Sequence, residues 1–178
     1  MNNVLPDLES LRVPLERVSP LPGNPRRGDI DAVAASLEMF GQHKPIVVRR
    51  MGKDKKGNDL GIVLAGNHTL AAATQLKWDS IAVVWTDDDD VFAKARALAD
   101  NHTAELGSYD DEALAAMLAD VATSPELLAA ISFPDQEIAR LLHPPSLDSF
   151  PDAEAPGVAL ANTVKCPACG FEFEPVTK

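Results

Sequence analysis

Apolar positions along the chain change period at each polar break, and the breaks are rich in proline and glycine. Val13, Leu15 and Val18 alternate with polar neighbours, which predicts a first short strand after a mobile lead-in over 1–11. Ser19 to Arg27 (SPLPGNPRR) contains three prolines and a glycine, so it reads as a loop in which Asn24, Arg26 and Arg27 can face a ligand. Ile30, Val33, Ala34, Leu37 and Phe40 then fall at helical spacing, with Asp29 as the N-terminal cap and Gly41 as the stop. A polar turn, Gln42-His43-Lys44, feeds a strand from Ile46 to Arg49 or Arg50. The polar stretch with Gly57-Asn58 is a hairpin tip leading back into a strand over Gly61 to Ala65.

The central stretch is Gly61 to Leu76, GIVLAGNHTLAAATQL, which reads as strand, tight turn and helix, the helix running to about Lys77. Gly66 tolerates backbone conformations closed to other residues and Asn67 is a good helix cap. The amides of His68, Thr69 and Leu70 are then expected to point outward unpaired, as a seat for an anion. Ile81 to Trp85 is a further buried strand. The carboxylate run Asp87 to Asp90 suits the first turn of a helix better than a metal site, because the apolar pattern Val91, Ala95, Leu98, Ala99 follows at once.

That helix ends in LADNHTAEL, where Asp100, Asn101, His102 and Glu105 crowd together. Ser108 and Asp111 resemble a capping box for a helix over Glu112 to Val121, with Leu114, Met117, Leu118 and Val121 as its core stripe. Ser124-Pro125 starts a short helix through Ile131, and Pro134 another through Leu142. Four prolines between Pro144 and Leu160 mark a linker. The tail VKCPACGFEFEP has the turn of a zinc knuckle, with Cys166 and Cys169 as candidate zinc ligands. One CxxC supplies half a tetrahedron. The alternatives are a redox-active or vestigial pair, or a site closed by a second copy (a homodimer), a partner, or a ligand such as His143.

At 178 residues and 46% hydrophobic content the chain can bury one main core with a small module left over. With no apolar run of membrane-spanning length and no basic or apolar leader in MNNVLPDLESLRVP, the expectation is a soluble cytoplasmic protein. The net charge of -11 argues against coating DNA by bulk electrostatics. Charge is unevenly spread: residues 1–60 carry 10 Lys and Arg against 8 Asp and Glu, and residues 61–178 carry 6 against 19. A phosphate-facing surface is therefore expected in the N-terminal part.

The run from Val13 to Leu142 resembles the ParB/sulfiredoxin superfamily, in particular the ParB-like N-terminal domains of phages, mobile elements and DNA-methyltransferase neighbourhoods. The matching segments are PLPGNPRR, the helix ending in Gly41, HKPIVVR, VLAGNHTLAAA and ALADNHTAELGSYDDEAL. The resemblance implies an α+β fold, a small mixed sheet with packed helices, over 12–107. A helical extension (108–143), a linker (144–162) and a CxxC tail (163–178) follow.

In nucleotide-binding relatives the turn before the PIVVR-type strand, the G-E-R-R-x-R-A turn and the acidic-Asn end of the later helix meet at one pocket. By match Gly66 takes the motif glycine and Asn67 the Glu place. His68, Thr69 and Ala71 stand where the arginines would be, and Asp100-Asn101 match the acidic-Asn pair. Without those arginines the bidentate forks that grip a triphosphate are lost. Sulfiredoxin has a nucleophilic cysteine in this turn; here Asn67 excludes that chemistry.

The resemblance implies a nucleoside triphosphate with Mg²⁺ as ligand at a pocket where Gly66, Asn67, His68, Thr69, Asn101 and His43 meet, and DNA as a target reached with or through a protein partner; beyond the family pattern, His102 is expected as a further contact and Arg26 or Lys44 as the residue closing the N-terminal side. The histidines either replace the missing arginines as phosphate or metal contacts or are ordinary surface residues. Two other functions remain open: a metal-dependent nuclease or phosphotransferase with Asp100 and Glu105 holding a divalent cation, and a non-catalytic interaction adaptor.

Overall fold

In the computed structural model, which describes residues 4–143 and 164–173, the expected first strand is two strands. Strands β1 (Arg12–Pro14), β2 (Val18–Ser19), β3 (Ile46–Lys53), β4 (Asp59–Ala65) and β5 (Ser80–Thr86) form one mixed sheet in the order β1-β5-β3-β4-β2. β1/β5 and β3/β4 are antiparallel, and β3/β5 and β2/β4 are parallel. β1 and β2 are thus at opposite edges although only the 3-10 turn Leu15–Arg17 separates them. Four steps of chain span at most roughly 14 Å, whereas the edges of a flat five-stranded sheet lie roughly 19 Å apart. The sheet has to curl, and irregular pairing at Val47/Val48 and Arg50/Gly52 supplies local twist.

The lead-in is more ordered than its composition suggests. Pro6–Leu11 is a 3-10 helix with proline in its first turn, and Val4 bridges to Gln42.

Helices α1 (Ile30–Phe40) and α2 (Asn67–Gln75) pack on each other, and Ala34, Leu37, Leu70, Ala72 and Ala73 join Val13, Val18, Ile46, Val48, Val63, Ile81 and Val83 in the main core. α1 starts as expected: the Asp29 side chain accepts the Ala32 amide, and Gly41 closes it at φ 70°.

α3 (Asp90–Glu105) is a correction to the apolar stripe. Val91 and Leu98 are 78% and 57% exposed, and the helix docks on Leu64 through Ala93 and Ala97. The small side chains let it approach β4 closely, and a reading weighted by large residues picks the wrong face.

Gln42 is another correction. Expected in a polar turn, it is 1% exposed. Its side-chain amide donates to the carbonyls of Lys44 and Ala82, and its oxygen accepts the Ala82 amide. The side chain thereby satisfies backbone groups of β5.

The acidic run caps and pins α3. Asp89 accepts the Val91 and Phe92 amides, Asp87 pairs with Arg50, Asp88 with Arg96 and Asp90 with Arg49. Arg50 also pairs with Asp59, and it stacks with Arg17 on the Trp85 ring at 5.6 and 5.9 Å.

The helical extension comprises α4 (Asp111–Val121), α5 (Pro125–Ala130) and α6 (Asp135–Leu142). Asp110, not Ser108, caps α4, accepting the Ala113 amide; Ser124 caps α5 as expected. Leu118, Ala130, Ile138 and Leu141 are buried, but Met117 is 68% exposed, which removes it from the expected core stripe.

The chain divides into two compact units, Met1–His143 and Pro144–Lys178. In the second, β6 (Val164–Lys165) and β7 (Glu172–Phe173) form an antiparallel hairpin around the cysteines. The expected linker over 144–162 lies outside the described residues. No described helix is long and apolar enough to cross a membrane.

Candidate functional site

The turn at Gly66 requires glycine twice over. Its φ of 93° lies in the left-handed region, and a Cβ there would run into the Ile46 side chain. Gly66 itself occupies the capping position of α2, its carbonyl accepting the Leu70 amide at 2.9 Å. Two expectations change as a result. Leu70 is not an outward amide, and the amides that precede the first intrahelical bond are those of Asn67, His68 and Thr69. Asn67 does not cap. Its side-chain oxygen accepts the Leu21 amide at 2.8 Å and its NH₂ donates to the Val63 carbonyl, which ties the proline-rich loop to the end of β4.

This helix start opens into a polar hollow of about 280 Å³. Its walls come from three segments distant in sequence: Asn24, Arg26, Gly28 and Asp29 with Val33; Leu64 and Gly66 to Thr69; and Asp100 with Asn101. Arg26 donates to the Asn101 carbonyl at 3.2 Å, joining the first wall to the third with one of its five N–H groups. The half-buried His68 ring lies against Gly28, where a Cβ would stand 2.9 Å from three ring atoms. Gly28 therefore leaves room for the imidazole. Its role was not read from the sequence, although a glycine directly before a capping aspartate, in RRGD, is the local signal.

His43 and Lys44 line a neighbouring hollow of about 220 Å³ that shares Val33 and Thr69 with the first. His102 lines neither hollow and is exposed. Each helical residue turns by about 100°, so when Asp100 and Asn101 face the cavity the next side chain turns out of it. Glu105 is likewise exposed and absent from both walls. Among the described residues no group of three His, Cys, Asp or Glu is placed to hold a metal ion, so Asp100 and Glu105 do not combine into such a centre.

The basic residues of β3 line neither hollow and are already paired. Arg49, Arg50 and Lys53 are paired with Asp90, Asp59, and Asp87, which lowers the carboxyl pKa of Asp59 through its bond from Arg50 and of Asp90 through its bond from Arg49. Arg26, in the lining of the first hollow, and Lys44, in that of the second, have no carboxylate partner among the described residues. Asp29 and Asp100 add negative charge to the first wall.

A third hollow, about 360 Å³, is apolar and lies in the extension between Tyr109, Leu114, Met117, Val121, Ile131 and Phe133. The rings of Tyr109 and Phe133 meet at 6.0 Å. In the tail hairpin, Cys166 and Cys169 are both free thiols. The Cys166 pKa is lowered by the Ala168 and Cys169 amides that face its sulfur and by the neighbouring thiol.

No protein-family model matches this chain, and no curated protein matches it in sequence. Solved structures do. The C-terminally truncated chromosome-partitioning protein ParB of Caulobacter crescentus, in complex with CTP-γ-S, is similar with a TM-score of 0.60 at 17% identity, over 79% of each chain. The same protein bound to the centromeric parS site gives 0.40 at 17% identity, over 79% of this chain and 73% of that one. Sulfiredoxin of Arabidopsis thaliana gives 0.36 at 19% identity, over 48% of this chain and 92% of that one. The mixed, curled five-stranded sheet with its packed helices thus has a ParB-like fold.

Proposed function

We propose that this protein is a DNA-associated accessory protein of the ParB-like kind, whose polar hollow takes the phosphates of a nucleotide. The observation that carries the reading is the start of α2: three amides without intrahelical acceptors, at the positive end of a helix dipole, opening into a cavity with Arg26 at its wall. The similar ParB structure holding CTP-γ-S supports a nucleotide as the ligand class.

His68 and Thr69 offer single contacts where the family turn has guanidinium forks, so binding is weak. Asp29 and Asp100 repel a bare triphosphate, which favours its Mg²⁺ complex. The neighbouring hollow, with His43 and Lys44, has room for the remainder of the ligand. DNA is reached through a protein partner, because the chain carries a net charge of -11 and its basic residues on β3 are already paired. The role so proposed belongs to maintenance or modification of phage or plasmid DNA.

The test is a titration of Mg-triphosphate into wild type, Gly66→Val and His68→Ala. Gly66→Val is expected to weaken binding by tenfold or more, about 1.4 kcal/mol. His68→Ala should weaken it less, because it removes one side-chain contact and leaves the amides in place. Undiminished binding by folded Gly66→Val would overturn the site.

A further inference from the structure

The tail hairpin has features that the polar hollow does not account for. Its turn is closed by two backbone bonds, the Cys166 amide to the Phe171 carbonyl at 2.8 Å and the Gly170 amide to the Cys166 carbonyl at 2.9 Å. Gly170 sits at φ 79°, a left-handed position that lets the chain turn back directly after the second cysteine. The amides of Ala168 and Cys169 face the Cys166 sulfur, and the two thiols are neighbours. Amides directed at a sulfur hold it in orientation, as the groups around a metal ligand do. Cys166 is half-buried and Cys169 is exposed, so the pair is open on its outer side.

Two sulfurs make half of a tetrahedral site. Among the described residues no third or fourth ligand stands with them, and the whole sequence contains only these two cysteines. Beside the thiols, Phe171 is 70% exposed and Val164 is 49% exposed. An exposed aromatic next to an open pair of sulfurs is the composition of a contact surface. An identical hairpin supplies both missing requirements, two more thiolates and an apolar cover.

We propose that two copies of this chain share one zinc-class divalent ion through Cys166 and Cys169 of each, making a four-thiolate site that joins the tails. Four S–H bonds give up their protons to solvent as four metal–sulfur bonds form; no redox change occurs. The site makes the protein a metal-dependent dimer, with the polar hollow on each copy left as it is.

The experiment uses the full chain, reduced, with Co²⁺ as a spectroscopic probe and then Zn²⁺ in competition, while sedimentation follows mass. Expected are one ion per two chains, the visible bands and sulfur-to-cobalt charge transfer of tetrahedral thiolate coordination, and a shift from monomer to dimer. Cys166→Ser should abolish both bands and dimer. Phe171→Ser should keep the cysteines but weaken the metal-linked dimer by tenfold or more. Mg-triphosphate binding should be unchanged in both variants, which separates this outcome from the fate of the proposed nucleotide site. One ion held per monomer, dimerisation indifferent to Cys166→Ser, or no uptake by chains shown to be reduced would each overturn the proposal.

Discussion

The polar hollow at the head of α2 and the apolar hollow of the extension are of similar size and opposite construction. The first takes its walls from residues 24–33, 64–69 and 100–101, and it is closed by long-range bonds, Arg26 to the Asn101 carbonyl and the Leu21 amide to Asn67. The second is built from one continuous stretch, residues 108–133, whose helices carry their own caps at Asp110 and Ser124. Dependence should therefore run one way. Helices of 11, 6 and 8 residues are too short to persist alone, and α5 leans on α1. The main core, by contrast, contains no residue of the extension. Loss of the sheet should remove both hollows, whereas loss of the extension should spare the polar one.

The largest effect tests that direction. Ile81 is fully buried on β5, paired with Val13 of β1, and Ile81→Ala is expected to cost about 2–5 kcal/mol, read by denaturant unfolding. Hydrogen exchange should show α4 to α6 losing protection together with β3 and β5. Leu118→Ala removes a buried side chain of the extension, beside a hollow already open to solvent, and is expected to cost about 2–3 kcal/mol. That loss should be confined to α4 to α6, with Mg-triphosphate binding retained. Protection that persists in the extension of Ile81→Ala, or binding that disappears in Leu118→Ala, would break the asymmetry.

A smaller effect lies at Gln42, which ties the turn after α1 to β5 and lines, with His43 and Lys44, the hollow that neighbours the polar one. Gln42→Ala leaves the Ala82 amide and the Lys44 carbonyl without these partners, at an expected cost of about 1–3 kcal/mol. It should also displace Lys44 and weaken nucleotide binding, whereas the apolar hollow should not change. Binding equal to wild type would detach His43 and Lys44 from the site.

Gln42 also marks where the sequence ceases to be legible. Features decided by neighbours in the chain could be read: the Asp29 cap and Gly41 stop of α1, the Gly57-Asn58 hairpin, the capping role of the acidic run and the Ser124 start of α5. The glycine turn was recognised as well, but the capping position was assigned to Asn67 because asparagine is the better cap by propensity, and the left-handed Gly66 took it instead. What could not be read was set by long-range geometry. A polar Gln42 becomes core only because β5 passes beside it, and Val91, Leu98 and Met117 face solvent only because closer packing is available through alanines and Leu118. The splitting of the first strand follows from sheet curl, which no local pattern encodes. For the same reason His102 looked like a partner of His68: their segments do meet, but a single residue of helical phase separates Asn101, in the wall, from His102, outside it.

The smallest effect concerns the ion pairs at the start of α3, where Asp90 and Asp87 reach Arg49 and Arg50 of β3 and Asp88 binds Arg96 of the helix itself, since the far end of that helix carries the third wall of the polar hollow. Asp88 is lowered in pKa first of all by its hydrogen bond from Arg96, and Asp90 by that from Arg49. A carboxyl whose folded pKa is depressed contributes stability that is fully present above its unfolded pKa of about 3.9 and is lost as pH falls through the lower folded value. Below about pH 4 the start of α3 should therefore loosen. Asp88 should dominate because its side chain is 11% exposed, against 80% for Asp90, where solvent screens the pair. Melting temperature measured from pH 5 down to pH 3 should fall more steeply in wild type than in Arg96→Gln, in which the Asp88 pair is already absent. The two curves should converge at the acid end. The apolar hollow offers the comparison, because the Asp110 cap of α4 and the Asp111 pair with Arg140 beside it are untouched by Arg96→Gln. Exchange protection in α4 should consequently follow the global stability of each variant and show no additional step of its own. Parallel melting curves for the two proteins would mean that the Asp88–Arg96 pair does not hold the start of α3, which leaves the third wall to the Arg49–Asp90 pair, the Arg26 bond to Asn101 and the contacts of Ala93 and Ala97 with Leu64.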